Sequence, residues 1–109
     1  MSCMTEDSCL IVVDVQNDFC PGGALGVKDG DKVIPVLNRW IQEFKRQDLP
    51  IVFTQDWHPL DHISFTQQGG IWPPHCVENT WGAQLHRDLV IDGEICRKGY
   101  CPEIEAYSA

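Results

Sequence analysis

No apolar stretch of this 109-residue chain is long enough to cross a bilayer: the longest, Leu10–Val13, holds four residues, against about 20 for a membrane helix. Positive charge is scarce as well. Eight Lys and Arg stand against 16 Asp and Glu, a formal net charge of −8, which excludes the clustered basic face that a nucleic-acid binder needs. The first residues, Met1 to Ser8, lack the basic segment and the long apolar segment of a secretory signal, so a cytoplasmic placement is expected. Cysteine pairs at metal or redox spacing are missing too. Cys3, Cys9, Cys20, Cys76, Cys96 and Cys101 form no C-x-x-C motif, and a reducing compartment keeps such thiols free, so a disulfide scaffold is not expected. Internal repeats, low-complexity tracts and linkers are absent.

What is present reads as an α/β chain. Leu10 to Val15 is a near-continuous apolar run, the pattern of a strand buried on both faces of a parallel sheet. A turn-rich stretch, 17–30, follows. Asp31 is then placed to cap a helix of about four turns, with Val33, Val36, Leu37, Trp40, Ile41 and Phe44 as its apolar positions. Pro35 falls in the first turn, where its missing N–H does little harm. Ile51–Thr54 predicts a second strand, completing a β-α-β unit. Residues 56–81 are loop-like, yet crowded with aromatic side chains and three of the four histidines, and long loops of this kind are usually functional. A helix is expected over Gly82–Asp88, a third strand within Leu89–Lys98, and the opening of another helix over Pro102–Ala109.

Ligands of open α/β sheets sit beyond the carboxyl ends of the strands. Asp14, Asp56 and Lys98 lie near the ends of the three expected strands and would converge on one crevice. A carboxylate inside an apolar run needs a partner to stay ionised, and Lys98 would be that partner for Asp14. A second constellation is Asp56-Trp57-His58, followed by His62 and by His75 in Trp72-Pro73-Pro74-His75-Cys76. Carboxylate oxygen and imidazole nitrogen suit zinc, and also iron or manganese. Asp56 and His58, two apart, share a face if the segment is extended. Phe19 and Trp72, tied in sequence to these clusters, could sandwich a flat ring.

These residues stand in a pattern that resembles one family. Val13-Asp14-Val-Gln16-Asn17-Asp18-Phe19-Cys-Pro-Gly22-Gly23-Ala-Leu25 is similar to the opening motif of nicotinamidases, also called pyrazinamidases, within the isochorismatase-like hydrolases. Thr54-Gln-Asp56-Trp-His58-Pro-Leu-Asp-His62-Ile-Ser64-Phe65 and Trp72-Pro-Pro-His75-Cys76 resemble the metal segments of that family. Arg97-Lys98-Gly99 and Tyr107-Ser108 resemble its lysine segment. The resemblance implies a three-layer α/β/α fold with a parallel sheet. Residues 1–109 would form the N-terminal part of a single hydrolase domain, apparently truncated after about three strands.

It also implies roles. Asp14 would be the general base and Lys98 the transition-state stabiliser. Asp56, His58 and His75 would hold a divalent metal, zinc first and iron or manganese next, with His62 an optional fourth ligand. Phe19 and Trp72 would flank the pyridine ring of nicotinamide, hydrolysed to nicotinate and ammonia in NAD salvage, with homo-oligomerisation left open. The family's nucleophilic cysteine lies on a later strand-to-helix turn, and none of the six cysteines has that context, so the nucleophile is expected to be missing from this chain. An inactive metal- or nicotinamide-binding fragment, or another isochorismatase-like hydrolase, is the alternative. A sheet with too few helices to cover it is expected to make the isolated chain prone to aggregation.

Overall fold

The computed structural model describes residues 6–104. Three parallel strands lie in the order β1 (Leu10–Val13), β2 (Ile51–Asp56), β3 (Glu94–Lys98), with Val12 beside Phe53 and Phe53 beside Ile95. One α-helix, α1 (Ile34–Arg46), connects β1 to β2. The stretch between β2 and β3 holds only two short 3-10 turns, Thr66–Gln68 and Trp81–Ala83, and the rest is irregular. This is the α/β architecture with a parallel sheet that the sequence implies.

α1 begins later than the sequence suggests. Gly30–Val33 forms a 3-10 turn, Asp31 does not cap α1, and Val33 occupies the cap position without a side-chain bond. Starting at Ile34 shifts the apolar stripe to Ile34, Leu37, Ile41 and Phe44, three and four residues apart, flanked by Trp40. Ile34 is therefore core, whereas Val33 and Val36 are about half exposed. Pro35 does lie in the first turn. At the other end Asp48 adopts φ 56°, Asp48 N–H donates to Lys45 O at 3.0 Å and Leu49 N–H to Phe44 O at 2.9 Å. That is a Schellman termination with aspartate in the place glycine usually takes.

The helix covers one sheet face only. Val12, Phe53 and Ile51 pack against Ile34, Ile41 and Phe44, joined by Val15, Leu85 and Leu89. On the opposite face Ile11 and Val13 are 60% and 62% exposed. β1 is thus not buried on both faces among the described residues, because nothing described packs over its second face.

One further expectation changes, one is met within its bounds, and one falls mostly outside the described residues. Gly82–Asp88 is not a helix: its groups bond sideways, with Asn17 N–H donating to Gln84 O and His86 N–H to Val15 O, instead of along a helix axis. The third strand is confined to Glu94–Lys98. Pro102 and Glu103 form a turn, and residues 105–109 of the expected last helix lie outside the described residues. No helix among the described residues is long and apolar enough to cross a membrane.

The two faces of β1 should respond oppositely to the same substitution. Val13→Thr is expected to change stability by less than about 0.5 kcal/mol, as an exposed position does. Val12→Thr, at a site 2% exposed, should cost about 1–3 kcal/mol for burying a hydroxyl. Urea denaturation of the two variants measures the difference.

Candidate active site

The strand ends meet as the sequence predicts. Asp56 and Lys98 are register partners on β2 and β3, so their side chains share one face. Lys98 Nζ lies 2.7 Å from Asp56 Oδ1 and 2.8 Å from Asp14 Oδ2. Asp14 is brought there by a left-handed backbone, φ 54°, that ends β1. Its Oδ1 accepts the Thr54 hydroxyl at 2.6 Å. Burial pulls the Lys98 ammonium down, but its hydrogen bonds to Asp14 and Asp56 overcome this and hold its pKa above the ordinary value. Asp56 shows the matching pattern. Burial pushes its carboxyl up, and the neighbouring His58 and the hydrogen-bonded Lys98 ammonium outweigh that and hold it low.

The second oxygen of Asp56 faces two imidazoles. His58 Nε2 is 3.5 Å and His75 Nε2 3.9 Å from Asp56 Oδ2. The other ring nitrogens are taken by main-chain carbonyls: His58 Nδ1–H donates to Gly99 O and His75 Nδ1–H to Pro73 O, each at 2.8 Å. A carbonyl oxygen only accepts, so Nδ1 carries a proton in both rings, and the tautomer that this selects offers the Nε2 lone pair. Two lone pairs and a carboxylate oxygen, all buried and within 4.8 Å of one another, repel unless a cation lies among them. The donor set therefore fits a divalent metal, with the outward N–H groups fixed by carbonyls as is common around metal-binding histidines. Gly99 adds a steric condition: at φ 71°, any Cβ there would overlap the His58 ring.

His62 is built differently. Its ring centroid lies 4.2 Å from that of His58, yet Nε2 donates to Ile104 O at 3.0 Å and Nδ1 is 2.6 Å from Ser64 Oγ. Its nitrogens are thus engaged away from the Asp56, His58 and His75 cluster.

These groups open on a cavity of about 380 Å³, lined also by Phe19, Leu25, Val27, His62, Ser64 and Trp72. Phe19 lies 5.7 Å from the His75 ring. Trp72 is held by two main-chain bonds, its N–H donating to Ser64 O and its carbonyl accepting from Thr66. All seven candidate residues of the sequence reading line this one cavity. None of the described cysteines does. Cys9, Cys20, Cys76, Cys96 and Cys101 are unpaired thiols. Burial, reinforced by the carboxylates of Asp56, Asp18 and Asp14, pushes the Cys76 thiol far above the ordinary range, and burial followed by the nearby Asp31 raises Cys20.

Two residues quoted only as part of the first motif prove central. The Gln16 carboxamide, fully buried, bonds both main-chain groups of Asp56. The Asp18 carboxylate accepts Ala24 N–H at 3.0 Å and Cys76 N–H at 2.7 Å, tying the ring-wall loop to the residue beside His75. Gly82 packs against that carboxylate so closely that a Cβ would overlap it. The signal for both was a run of polar residues, Gln16 to Asp18, directly after an apolar strand.

Fold and site together define a parallel α/β domain whose strand ends carry a carboxylate–lysine–carboxylate bridge beside an Asp-His-His cluster. The chain belongs to the isochorismatase domain family, which matches residues 8–98. It is 40% identical over 117 residues to the nicotinamidase of Escherichia coli strain K12, an alignment that spans 92% of this chain and 55% of that protein. Among solved structures, the pyrazinamidase of Pyrococcus horikoshii in complex with zinc superposes with a TM-score of 0.86 and 55% identity, over 91% of this chain and 55% of the other. An L. infantum protein in complex with nicotinate gives 0.85 and 40%, over 95% and 54%. The chain spans just over half the length of the relatives it matches.

Lys98→Met would leave the Asp14 and Asp56 carboxylates facing each other without a cation. Removing one partner of a buried pair costs about 3–5 kcal/mol, so the urea midpoint of this variant is expected to fall sharply below that of the parent.

Proposed function

We propose that this chain carries the base, the lysine, the metal ligands and the ring-binding residues of a nicotinamidase, the amidohydrolase that releases ammonia from nicotinamide. The observation that carries the reading is the single cavity in which Asp14, Lys98 and the Asp56, His58 and His75 cluster lie with Phe19 and Trp72 in its walls. The names of the relatives support it, as do zinc in one similar structure and nicotinate in another.

An amide carbonyl is a weak electrophile, so it needs a strong nucleophile and stabilisation of the charge that develops on oxygen. Asp14 is placed to accept the proton of a thiol nucleophile. The Thr54 hydroxyl orients one of its oxygens and Lys98 holds the other. The Lys98 ammonium, kept charged between two carboxylates, favours the thiolate and stabilises negative charge in the cleft. Phe19 and Trp72 flank a flat pyridine ring, with Leu25 and Val27 adding apolar wall. Asp56, His58 and His75 would hold a divalent ion, zinc in preference to iron or manganese. When bound, it supplies Lewis-acid charge to a ring nitrogen or a water. The nucleophilic thiol is proposed to come from outside this chain, because no described cysteine lines the cavity and Cys3 lacks the strand-to-helix sequence context of the family's nucleophile. On this reading the 109-residue chain by itself binds substrate and does not turn it over.

Calorimetry with nicotinamide and with benzamide, which lacks the ring nitrogen, tests the binding half of this reading, and an ammonia assay tests the catalytic half. The zinc-loaded chain is expected to prefer nicotinamide and to release no ammonia. His58→Ala and His75→Ala should lose the metal by elemental analysis and lose the preference with it. Ammonia release by the parent would overturn the placement of the nucleophile. Unchanged metal content in both histidine variants would overturn the metal site.

A further inference from the structure

We propose that Gln16 is the positioning residue of the Asp-His-His cluster, its side-chain amide taking the place of a missing strand rung and setting where the Asp56 carboxylate stands. This rests on the metal reading above and goes beyond its ligand set.

The geometry begins with the end of β1. Along the β1–β2 ladder the last main-chain rung is Asp14 N–H to Thr54 O, at 3.1 Å. Asp14 then turns away with φ 54°, so β1 supplies no peptide group opposite Asp56. In a parallel strand the N–H and C=O of one residue point to the same side, and alternate residues serve the same neighbour. Asp56, two beyond Thr54, therefore directs both groups toward β1. The Gln16 side chain meets both. Its Oε1 accepts Asp56 N–H at 2.8 Å and its Nε2 donates to Asp56 O at 2.8 Å. A second Nε2 hydrogen donates to Ala83 O, also at 2.8 Å.

This pattern selects glutamine chemically. The partners are one N–H, which only donates, and two carbonyls, which only accept, so a single orientation of the amide satisfies all three bonds. Glutamate would set a carboxylate against two carbonyl oxygens, and asparagine is one methylene too short. Gln16 is 0% exposed, where each unmade bond carries a desolvation penalty. The clamp acts on a residue whose two carboxylate oxygens are committed separately, Oδ1 to Lys98 and Oδ2 to the histidines. A small rotation of the Asp56 peptide would misalign both. Partners one step removed from metal ligands typically change affinity 10- to 100-fold when replaced.

Gln55 provides the control. It is equally interior, and its Nε2 donates to the same Ala83 carbonyl at 2.9 Å, but no bond joins its side chain to the Asp56 peptide. The experiment uses the full 109-residue chain, Co2+ titration followed by visible absorption, circular dichroism for folding, and amide exchange by NMR. Gln16→Met and the milder Gln16→Asn are expected to stay folded and to bind Co2+ 10- to 100-fold more weakly, with an altered absorption envelope. Within β2 they should lose exchange protection at the Asp56 amide alone. Gln55→Met should change Co2+ affinity little. A folded Gln16 variant with parental affinity, an equal loss in Gln55→Met, or failure of both Gln16 variants to fold would each overturn the positioning role. A parent that binds no Co2+ is a separate failure: it sinks the metal reading, and exchange at Asp56 then decides the clamp by itself.

Discussion

The Lys98 ammonium, seated between Asp14 and Asp56, is the interaction on which the rest of this site depends. Two carboxylates at neighbouring strand ends would otherwise raise each other's energy in a buried setting and force one to take up a proton. The cation at 2.7 and 2.8 Å offsets that repulsion. In the proposed function, Asp14 would receive a proton and Asp56 would hold a metal. The sheet produces this arrangement directly, because Asp56 and Lys98 are register partners and Asp14 follows the last residue of β1.

Around that bridge, positioning falls to one short segment. Residues 14–18 contribute the Asp14 carboxylate of the bridge, the amide that grips Asp56 and the carboxylate that grips Cys76 beside His75. The partners of Gln16 and Asp18 lie on different parts of the chain, and both of these grips are made to main chain. The irregular stretch between β2 and β3 thereby gains order without regular secondary structure, its polar groups satisfied by main-chain bonds in turns and isolated bridges together with a few buried side chains.

Much of this was legible in the sequence for physical reasons. The apolar runs marked β1 and β2, the three- and four-residue spacing marked the body of α1, and ionisable residues at strand ends marked the crevice. The Asp-x-His pair and the later His75 marked the cluster. What escaped had nonlocal causes. Val33 and Val36 look apolar and helical, but the 3-10 turn at Gly30–Val33 rotates the stripe away from them. Gly82–Asp88 looks helical, but its main chain is claimed by residues 15–17. Gln16 and Asp18 stand out locally only as a polar run after an apolar strand, and the partners that make them central, Asp56, Ala83 and Cys76, lie 40 to 67 positions away. Ile11 and Val13 read as buried because apolar composition does not say which face of a strand is covered.

Those separations bear on how the chain comes together in time. The bonds that shape the cleft, from Thr54 to Asp14, from Gln16 to Asp56 and Ala83, from Lys98 to Asp56, and from Cys76 to Asp18, all close loops of 40 or more residues. Contacts of such span form only after chain entropy has been surrendered over the whole intervening stretch, and they slow folding accordingly. The β1–β2 ladder is no more local, since Leu10 pairs with Ile51 and Val12 with Phe53; only α1 against β2, as in Ile41 with Phe53, closes with shorter reach. The cleft therefore shares its closing span with the sheet it stands on, while all of its histidines lie beyond the β1–α1–β2 unit.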